Sequence, residues 1–527
     1  MITGKNYVGH RSSSNGKKVF KTFNPKLNLE NEWPFYEASK EEIHEAVTLA
    51  WEAFGEFRNT TGNQRAGFLR KIADEIEALG ATLIEVYCQE TGLPEGRAMG
   101  ERGRTCFQLR SFAELVESGS WVSASIDTAD SDRKPAPKPD LRKMMVPIGP
   151  IAVFGASNFP LAYSTAGGDT ASALASGCPV VVKSHPMHAA TGELVASAIV
   201  KAAKATQMPN GVFSNLNSSG IEVGEQLVKH PKIKGVGFTG SIVGGRALFD
   251  MASARDEPIP VFAEMGSINP VILLPKALKN KGQEWAKIYA SSITLGTGQF
   301  CTNPGLILGV SDAGLDDFIQ SLAEEIVRIE PSCMLSPGIS KRYAESRSKM
   351  LGEGEVNLAA DYAEVVAENY AKQAVVVVEG VDFLKNPRLH QEVFGPFSMV
   401  VRCKDAGELE TIIRGLEGQL TGTIISEENE IENFPNIVNA LQNRVGRLIF
   451  NGVPTGVEVC PSMQHGGPYP ASTDSRFTAV GIHAIQRWVR PVSYQNWPDK
   501  LLPEALKNDN PLGIERLVDG VLTNNSL

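Results

Sequence analysis

Residues 151–183 read IAVFGASNFPLAYSTAGGDTASALASGCPVVVK. Two short apolar segments, Ile151–Phe154 and Val180–Lys183, flank a helical pattern at Thr165–Ala175. Such purely apolar strands, separated by helices, are typical of a parallel sheet that helices cover on both faces. The stretch therefore predicts an α/β fold.

The same alternation continues along the chain, with strands predicted at Gly211–Asn215 and Ile233–Phe238 and helices at Ala189–Ala205 and Ile221–Lys229. Ligands of open parallel sheets bind at the carboxyl ends of the strands. We therefore expect functional residues directly after these strands.

A second alternating block begins near Asn269 and predicts a second α/β unit. The block contains a helical run before Cys301 and strand-like runs at Val271–Leu274, Leu306–Gly309, Ala374–Glu379 and Leu448–Asn451. We place a domain boundary at Gly266–Asn269.

The remaining segments predict helices and an extended arm. Lys40–Glu117 has mostly helical periodicity, and Ser123–Asp140 is rich in Pro, Asp and Ser, as an exposed arm or hairpin would be. Residues 485–499 predict a strand that pairs with the arm at 123–145 or with a partner subunit. The polar residues 501–527 form an extension with no predicted structure.

Composition excludes several classes of function. The 527 residues carry a net charge of −9 and no basic stripe, which argues against a nucleic-acid partner. The seven cysteines are scattered, and no pair has metal-ligand spacing, so we expect neither a disulfide framework nor a metal site. Met1–His10 lacks the apolar core of a signal peptide, and no apolar run reaches the roughly 18 residues of a membrane span. We expect a cytoplasmic protein without membrane contact.

The strongest candidate for chemistry is Cys301, in the polar loop Gly298-Gln-Phe-Cys-Thr-Asn-Pro-Gly305. A free cysteine is most often a small buried apolar residue, but polar neighbours and flanking glycines argue against a core position. A thiol in such a loop can attack an electrophilic carbon. We interpret Cys301 as a nucleophile.

Two further candidates follow apolar strands. The amide of Asn158 could donate to an oxyanion, although an asparagine before Phe-Pro is also common in turns. Glu264 could be a general base, a solvated loop acid, or a ribose-binding acid, because Gly235–Gly240 matches the pattern G-x-G-x-x-G. That pattern is weak evidence in a chain with 50 glycines.

Three residues could contact a nucleotide. Lys183 closes a predicted parallel strand, where a ribose would lie, and Ser241 stands at a predicted helix start, where a phosphate would bind. Glu392 pairs a carboxylate with a turn. Taken alone, Lys183 could equally be a solvated lysine, and Glu392 could be structural.

Six motifs in order carry a family resemblance: Asn-Phe-Pro at 158–160, Val-Val-Val-Lys at 180–183, Phe-Thr-Gly-Ser at 238–241, Glu-Met-Gly-Ser-Ile-Asn-Pro at 264–270, Gly-Gln-Phe-Cys at 298–301 and Glu-Val-Phe-Gly-Pro at 392–396. With them, the chain resembles the aldehyde dehydrogenase superfamily from about residue 3 to 500. Residues 103–110, 183–186 and 464–470 resemble the branch of 2,5-dioxovalerate (α-ketoglutaric semialdehyde) dehydrogenases and NADP-dependent fatty-aldehyde dehydrogenases.

The resemblance implies a division of the chain. Residues 1–122 and 146–268 would form a Rossmann-type cofactor-binding domain, and residues 269–484 an α/β catalytic domain. Residues 123–145 and 485–500 would form a small β arm through which the family assembles, so a homodimer or homotetramer is expected.

The resemblance also implies roles for residues. Cys301 would form a thioester with an aldehyde substrate, Asn158 and the Cys301 N–H would hold the oxyanion, and Glu264 would activate water. Four residues would contact the nicotinamide cofactor. Lys183 would bind the adenosine ribose, Ser241 the pyrophosphate and Glu392 the nicotinamide ribose, and the ring of Phe394 would pack nearby.

Two departures from the family pattern bear on the cofactor and the site. Pro186 stands where NAD-preferring members often have a glutamate, so no carboxylate repels a 2′-phosphate, which Ser184 or His185 could bind. We expect NADP as cofactor, with NAD possible. Ile268 replaces a lysine of the usual motif, and we expect no effect on the chemistry.

The sequence leaves two classes of aldehyde substrate open. A dicarboxylic semialdehyde, 2,5-dioxopentanoate, needs a cation or donors for its distal carboxylate. Candidates are Arg104 and Gln108, four residues apart on a helix, with Arg110 and Arg476, although surface salt bridges would explain these arginines equally well. A fatty aldehyde would need an apolar tunnel, which Phe107, Phe112 and Phe159 could line. Two other classes are a cofactor-independent thiol esterase and a silent binding protein.

Overall fold

The computed structural model describes residues 2–527. The strands are β1 (Asn6–Val8), β2 (Arg11–Ser13), β3 (Val19–Asn24), β4 (Leu29–Tyr36), β5 (Ser125–Asp127), β6 (Leu141–Pro147), β7 (Ile151–Phe154), β8 (Val180–Lys183), β9 (Phe213–Leu216), β10 (Gly235–Thr239), β11 (Val261–Glu264), β12 (Val271–Leu273), β13 (Leu306–Val310), β14 (Asn357–Asp361), β15 (Ala374–Glu379), β16 (Phe397–Cys403), β17 (Gln419–Ile425), β18 (Val445–Phe450), β19 (Val489–Gln495), β20 (Arg516–Val518) and β21 (Val521–Thr523).

The α-helices are α1 (Lys40–Phe57), α2 (Gly62–Ala78), α3 (Gly80–Thr91), α4 (Glu95–Ser118), α5 (Gly168–Ser176), α6 (Ala189–Ala205), α7 (Glu222–Lys229), α8 (Ile242–Ser253), α9 (Pro275–Thr294), α10 (Ala313–Val327), α11 (Pro337–Leu351), α12 (Gly380–Lys385), α13 (Ala406–Gly415), α14 (Glu428–Ile431) and α15 (Pro435–Gln442). Short 3₁₀ turns connect several of them, including Leu295–Gly298 just before Cys301.

Two seven-stranded sheets and a small arm sheet organise the chain. The first sheet has the order β11-β10-β7-β8-β9-β1-β2, and the second has the order β14-β15-β16-β13-β12-β17-β18. Strands β11 to β9 of the first sheet are parallel, as are all strands of the second except β14. The α/β fold predicted from the sequence is confirmed.

Helices cover both faces of the first sheet, as its central strand β7 illustrates, because that strand is apolar and buried at every position. Ile151 and Val153 of β7 pack into a core cluster with helices α5 and α6. Their neighbours Ala152 and Phe154 pack into a different cluster, with helices α1, α7 and α8. Successive side chains of a strand point to opposite faces, so a strand without polar positions requires cover on each side.

The elements of the first block match their predictions closely. Strands β7 and β8 and helix α6 have the predicted bounds. Strand β9 begins at Phe213 and not at Gly211, because the chain still turns at Gly211, whose φ is +96°. Helix α5 begins three residues after Thr165, because the preceding residues form turns in which Gly167 N–H bonds to the carbonyl of Ser164.

The second block is only partly predicted. Strands β12, β13 and β15 lie at the expected positions, and β18 begins three residues before Leu448. Strands β16 and β17 were not predicted. Both are buried along most of their length, and such short apolar runs cannot be told from helical core segments by periodicity alone.

The arm pairs within the chain, as one of the two predicted arrangements requires. Strand β19 pairs antiparallel with β6, and the arm sheet has the order β19-β6-β5-β20-β21. The C-terminal residues, for which no structure was predicted, contribute the last two strands of this sheet. The guanidinium of the fully buried Arg516 anchors them by donating to the carbonyls of Lys507 and Asn525. Within residues 2–527, no helix has the length and apolarity needed to cross a membrane.

Candidate active site

The loop that carries Cys301 lies between helix α9 and strand β13 and has an unusual backbone. Gly296, Thr297 and Gly298 all have positive φ, at +54°, +60° and +64°. A Cβ at Gly298 would lie 2.2 Å from the carbonyl oxygen of Gly395, so a larger side chain could not be accommodated there. The close approach holds the loop against the segment that carries Glu392 and Phe394.

Asn269 fixes the orientation of the loop from the other side. Its buried amide donates to the carbonyls of Cys301 and Asn303, each at 2.9 Å. The amide oxygen of Asn269 accepts from the hydroxyls of Ser267 and Thr421. The loop is thus hydrogen-bonded to the start of the second sheet, which makes the position of the thiol well defined. From the sequence, Asn269 was only a residue of the motif at 264–270 and the end of the predicted domain boundary.

The side chains of His465 and Glu264 meet at the thiol of Cys301. Nε2 of His465 lies 3.7 Å from Sγ of Cys301 and 2.9 Å from Oε1 of Glu264. The side chains of His465 and Glu264 are 1% and 4% exposed. Glu264 ends strand β11, as predicted, whereas His465 comes from a loop 164 residues after Cys301. His465 was quoted only as part of a motif at 464–470 and was given no role.

Electrostatics keep the resting thiol protonated. Burial raises the pKa of Cys301 well above its usual range, and the nearby carboxylate of Glu264 raises it further. The guanidinium of Arg104 acts in the opposite direction but more weakly, so poor solvation of a buried thiolate dominates. The nucleophile therefore needs a base that takes its proton, and the imidazole of His465 is in contact with the sulfur.

Asn158 lies beside the nucleophile loop with one amide hydrogen to spare. Its Nδ2 donates to the carbonyl of Gln299 at 3.0 Å. An amide group carries two N–H donors, so the second remains for an oxyanion formed next to Cys301. Because one donor is already bonded, the orientation of the amide is set before any substrate arrives.

Cys301 lies at the junction of two cavities. The first, of about 260 Å³, contains several predicted cofactor residues, since it is lined by Ser157, Asn158, Thr239, Gly240, Ser241, Met265, Gly266, Cys301, Ile339, Arg342, Tyr343, Ser346, Glu392 and Phe394. The second, of about 240 Å³, is lined by Gly96, Arg97, Gly100, Glu101, Arg104, Phe159, Tyr163, Phe300, Cys301, Thr302, Gly456 and Val457.

The first cavity lies where strand ends and a helix start meet. It lies at the carboxyl ends of β7 and β10 and at the start of helix α8, where Ser241 caps Gly244 N–H. Helix starts and strand ends of this kind bind phosphate groups. On the opposite wall, burial raises the pKa of Glu392 to about 7. A ribose hydroxyl donating to this carboxylate would stabilise its ionised form.

The three residues predicted around the adenosine differ in their accessibility. Lys183 is partly exposed at the end of β8, and burial lowers its pKa to about 8. The ring of His185 is stacked on His188, with centroids 5.1 Å apart. Ser184, however, is 1% exposed and its hydroxyl packs toward Gly192 of helix α6. Contrary to the expectation for a 2′-phosphate, the Ser184 hydroxyl faces the interior.

The second cavity leads to Cys301 between aromatic rings and two arginines. Phe159 packs edge-on against Phe300, with centroids 5.6 Å apart, and the guanidinium of Arg97 stacks over both rings. Arg104 contacts the hydroxyl of Tyr163 at 3.3 Å. Arg97 was missed by the sequence analysis, although its spacing from Glu101 and Arg104 on helix α4 places all three on one face.

Other predicted substrate contacts do not reach this cavity. Gln108 is buried against Gly168, beyond the end of the cavity. Arg110 pairs with Asp74 and Glu77 on the surface, and the exposed Arg476 pairs with Asp474. The alternative explanation, surface salt bridges, therefore holds for Arg110 and Arg476. The tunnel residues Phe107 and Phe112 are exposed and fully buried, respectively, and neither lines the cavity.

The two arginines of the cavity differ in charge balance. Arg97 pairs with Glu101 at 3.4 Å, and Glu101 also accepts the backbone N–H groups of Leu161 and Ala162. Arg104 donates to the carbonyl of Val457, and across residues 2–527 no carboxylate lies within salt-bridge distance of it. Its Nε atom is buried without a hydrogen-bond partner. Arg104 therefore leaves an unbalanced positive charge beside the thiol.

Comparisons with known proteins identify the family. Residues 10–489 match the model of the aldehyde dehydrogenase family. An alpha-ketoglutaric semialdehyde dehydrogenase of Acinetobacter baylyi is 46% identical over 524 residues, covering 99% of both chains. Alpha-ketoglutaric semialdehyde dehydrogenase 2 of Azospirillum brasilense is 46% identical over 523 residues, covering 98% of this chain and 99% of its own.

Solved structures share the fold at low identity. Betaine aldehyde dehydrogenase from Staphylococcus aureus, in complex with NAD+, superposes with a TM-score of 0.80 at 19% identity over 94% of this chain and 96% of its own. Salicylaldehyde dehydrogenase from Pseudomonas putida G7 gives a TM-score of 0.79 at 20% identity over 94% and 98%.

Proposed function

The chain belongs to the aldehyde dehydrogenase family, whose members are oxidoreductases that act on aldehydes with NAD(P). We propose that this chain oxidises 2,5-dioxopentanoate to 2-oxoglutarate. The observation that carries this choice is the cation of Arg104, which has no carboxylate partner in the cavity that opens onto Cys301. Two near-full-length relatives named alpha-ketoglutaric semialdehyde dehydrogenase support it. The distal carboxylate of the substrate would balance this charge.

The first half of the reaction uses Cys301, His465 and Asn158. His465 takes the thiol proton, and the thiolate attacks the aldehyde carbon while the free amide hydrogen of Asn158 donates to the oxyanion. A bound oxidised nicotinamide supplies the acceptor for the hydride that leaves this carbon. The product on the enzyme is a thioester of Cys301.

The second half of the reaction uses Glu264. Its carboxylate removes a proton from a water molecule, which attacks the thioester carbon and releases the acid and the thiol. Once His465 has released the first thiol proton to solvent, its imidazole, in contact with both groups, can pass the proton that Glu264 took from water to the departing thiolate. The same imidazole thus serves thiol activation and the restoration of the carboxylate.

We propose NADP as the preferred cofactor, with NAD accepted. Pro186 leaves no carboxylate at the position where it would repel a 2′-phosphate, and Lys183 and His185 remain as candidate partners. The Ser184 hydroxyl is not among them, because it is buried. A comparison of kcat/KM for the two nicotinamides tests this proposal directly.

The pH dependence of cofactor binding follows from Lys183. Its pKa of about 8 in the free enzyme means that the amine is cationic below pH 8. Binding an anionic cofactor raises this pKa, so Kd for NADP is expected to stay constant below pH 8 and to rise by up to about tenfold per pH unit above it. Equilibrium titration from pH 7 to 10 measures this, and Lys183→Gln should show no such rise. An equal rise in that variant would contradict the assignment.

Substrate choice is expected to depend on Arg104. In Arg104→Met, kcat/KM for 2,5-dioxopentanoate should fall by about 10- to 100-fold, since a charged hydrogen bond contributes about 1.5–3 kcal/mol. Turnover of propanal should change less than about threefold, because it has no carboxylate. The matched control is Arg110→Met on the same helix, whose charge pairs on the surface. Equal losses for both aldehydes would argue against a role in carboxylate binding.

A panel of aldehydes tests the proposal as a whole. The full chain should oxidise 2,5-dioxopentanoate better than hexanal or longer alkyl aldehydes with either nicotinamide. A preference of about tenfold or more in kcat/KM for the alkyl aldehydes would instead support a fatty-aldehyde dehydrogenase. Ester hydrolysis without nicotinamide, together with no aldehyde-dependent cofactor reduction, would support a thiol esterase.

We further propose the assembly and setting suggested by the sequence. The arm strands β6 and β19 would join subunits of a homodimer or homotetramer. Residues 1–122 and 146–268 would form the cofactor-binding domain, and residues 269–484 would form the catalytic domain that carries the Cys301 loop. Seven cysteines without a disulfide among the described residues support a reducing compartment, the cytoplasm. Sedimentation at several protein concentrations measures the assembly.

A further inference from the structure

Cys301, His465 and Glu264 form the kind of cluster that binds a metal ion. Each offers one ligand atom, and these three atoms all lie within 4.8 Å of one another. Thiolate, imidazole and carboxylate are the three ligand types that zinc takes from proteins. In sequence the three residues show no metal-ligand spacing, and only the fold brings them together.

The state of Glu264 points independently to a cation. The carboxylate is 4% exposed, yet neither of its oxygens accepts a hydrogen bond of good geometry. Nε2 of His465 approaches Oε1 to 2.9 Å without satisfying that geometry. A buried ionised carboxylate without donors is costly, and a metal ion at this position would relieve that cost.

The distances fit zinc. With a zinc–sulfur bond of about 2.3 Å, a zinc–nitrogen bond of about 2.0–2.1 Å and a tetrahedral angle, the sulfur and nitrogen of two ligands stand about 3.6 Å apart. The observed distance from Sγ of Cys301 to Nε2 of His465 is 3.7 Å. Oε1 of Glu264 lies 2.9 Å from Nε2 of His465, and all three ligand atoms lie within 4.8 Å of one another. Three protein ligands leave the fourth position to water.

We propose that this cluster binds Zn²⁺ when aldehyde is absent, and that the zinc-bound enzyme is inactive. Without nicotinamide and aldehyde, the thiol can be reached from the two cavities that Cys301 lines. Binding releases the thiol proton to solvent, forms the zinc–sulfur bond and occupies both His465 and Glu264. The nucleophile and its bases are thereby blocked together. Since a proton is lost, zinc affinity rises with pH.

The inhibition differs from general damage to thiols. It is competitive with aldehyde, since both need the sulfur, and it is reversed by a chelator. The ion is no cofactor for oxidation, which requires the sulfur free to attack the substrate. The proposal stands apart from the choice of substrate, since it depends only on these three side chains.

Direct metal binding tests the proposal. The reduced full chain, without nicotinamide, is titrated with Zn²⁺ against a chromophoric chelator and with Co²⁺ in a spectrophotometer. We expect one site per chain and, with cobalt, a thiolate-to-metal charge-transfer absorption. His465→Gln and Glu264→Gln should each weaken zinc binding by about 100-fold or more, because loss even of groups that only support a ligand costs 10- to 100-fold. Cys301→Ser should lose the absorption.

Matched controls separate this site from adventitious binding. Cys88→Ser and His483→Gln remove an outlying thiol and an exposed imidazole, and both should bind one zinc ion unchanged. Circular dichroism establishes that each variant is folded. Equal zinc affinity in wild type, Cys301→Ser and His465→Gln, or cobalt binding without thiolate absorption, would overturn the proposal. These measurements do not depend on turnover, so they test zinc binding even if the proposed oxidation of 2,5-dioxopentanoate is wrong.

Discussion

Aldehyde oxidation is expected to fall by at least about 10⁴-fold when Cys301 is replaced by alanine. The sulfur forms the covalent bond on which both halves of the reaction depend, and loss of a nucleophile in comparable enzymes costs as much or more. The measurement is kcat from reduced-cofactor absorbance with 2,5-dioxopentanoate and NADP. Because burial raises the pKa of the Cys301 thiol, we also expect its alkylation rate in the free enzyme to increase as pH rises.

The control for this loss is Cys88→Ser, which removes a half-buried thiol of helix α3 and should retain wild-type kcat. Mass spectrometry of the quenched wild-type enzyme should reveal an acyl adduct on Cys301. Full oxidation in Cys301→Ala would refute the thioester route. If Cys301→Ala left every measurable activity and phenotype unchanged, the chain would be a silent binding protein.

Glu264→Gln is expected to divide the reaction at the thioester. Amide in place of carboxylate cannot deprotonate water, so steady-state kcat should fall by about 10²- to 10⁴-fold, the usual contribution of a general base. Formation of the thioester does not need this base, because His465 contacts the sulfur directly. A rapid first turnover should therefore persist, followed by a slow phase, and the acyl adduct should accumulate.

Stopped-flow absorbance resolves the two phases, and Glu458→Gln is the matched control. Glu458 is exposed beside Val457, which lines the substrate cavity, and has no part in the site. It should keep a single steady rate. An equal slowing of the first turnover and of the steady state in Glu264→Gln would contradict this division. Glu264 would then be needed before the thioester forms, as part of the activation of the thiol.

Helix α4 illustrates how far a local pattern leads. Its periodicity predicts that Arg104 and Gln108 share a face, and Arg97 and Glu101 belong to the same face. The helix rises about 1.5 Å per residue, so Gln108 lies about 6 Å beyond Arg104. That distance carries it past the cavity and under helix α5, at Gly168. Which residues of this helix face can contact a substrate depends on where the cavity ends, and other elements of the fold determine that.

Ser184 shows the same limit at the cofactor side. A residue directly after a parallel strand is a sound candidate for ligand contact. Its side-chain direction, however, depends on the turn that follows and on helix α6, against which the hydroxyl packs. A strand end predicts a region of the surface and not which of its neighbouring side chains faces outward.

By itself, the sequence determined the α/β architecture, the loop of the nucleophile, and the strand ends that carry Asn158, Lys183 and Glu264. Each of these depends on residues close together in the chain, where apolar alternation and glycine placement act directly. Tertiary structure alone decided that His465 joins Cys301 and Glu264, that Asn269 holds the loop, and that Arg97 enters the substrate cavity. Such contacts join distant segments, and packing of whole sheets and helices sets their distances.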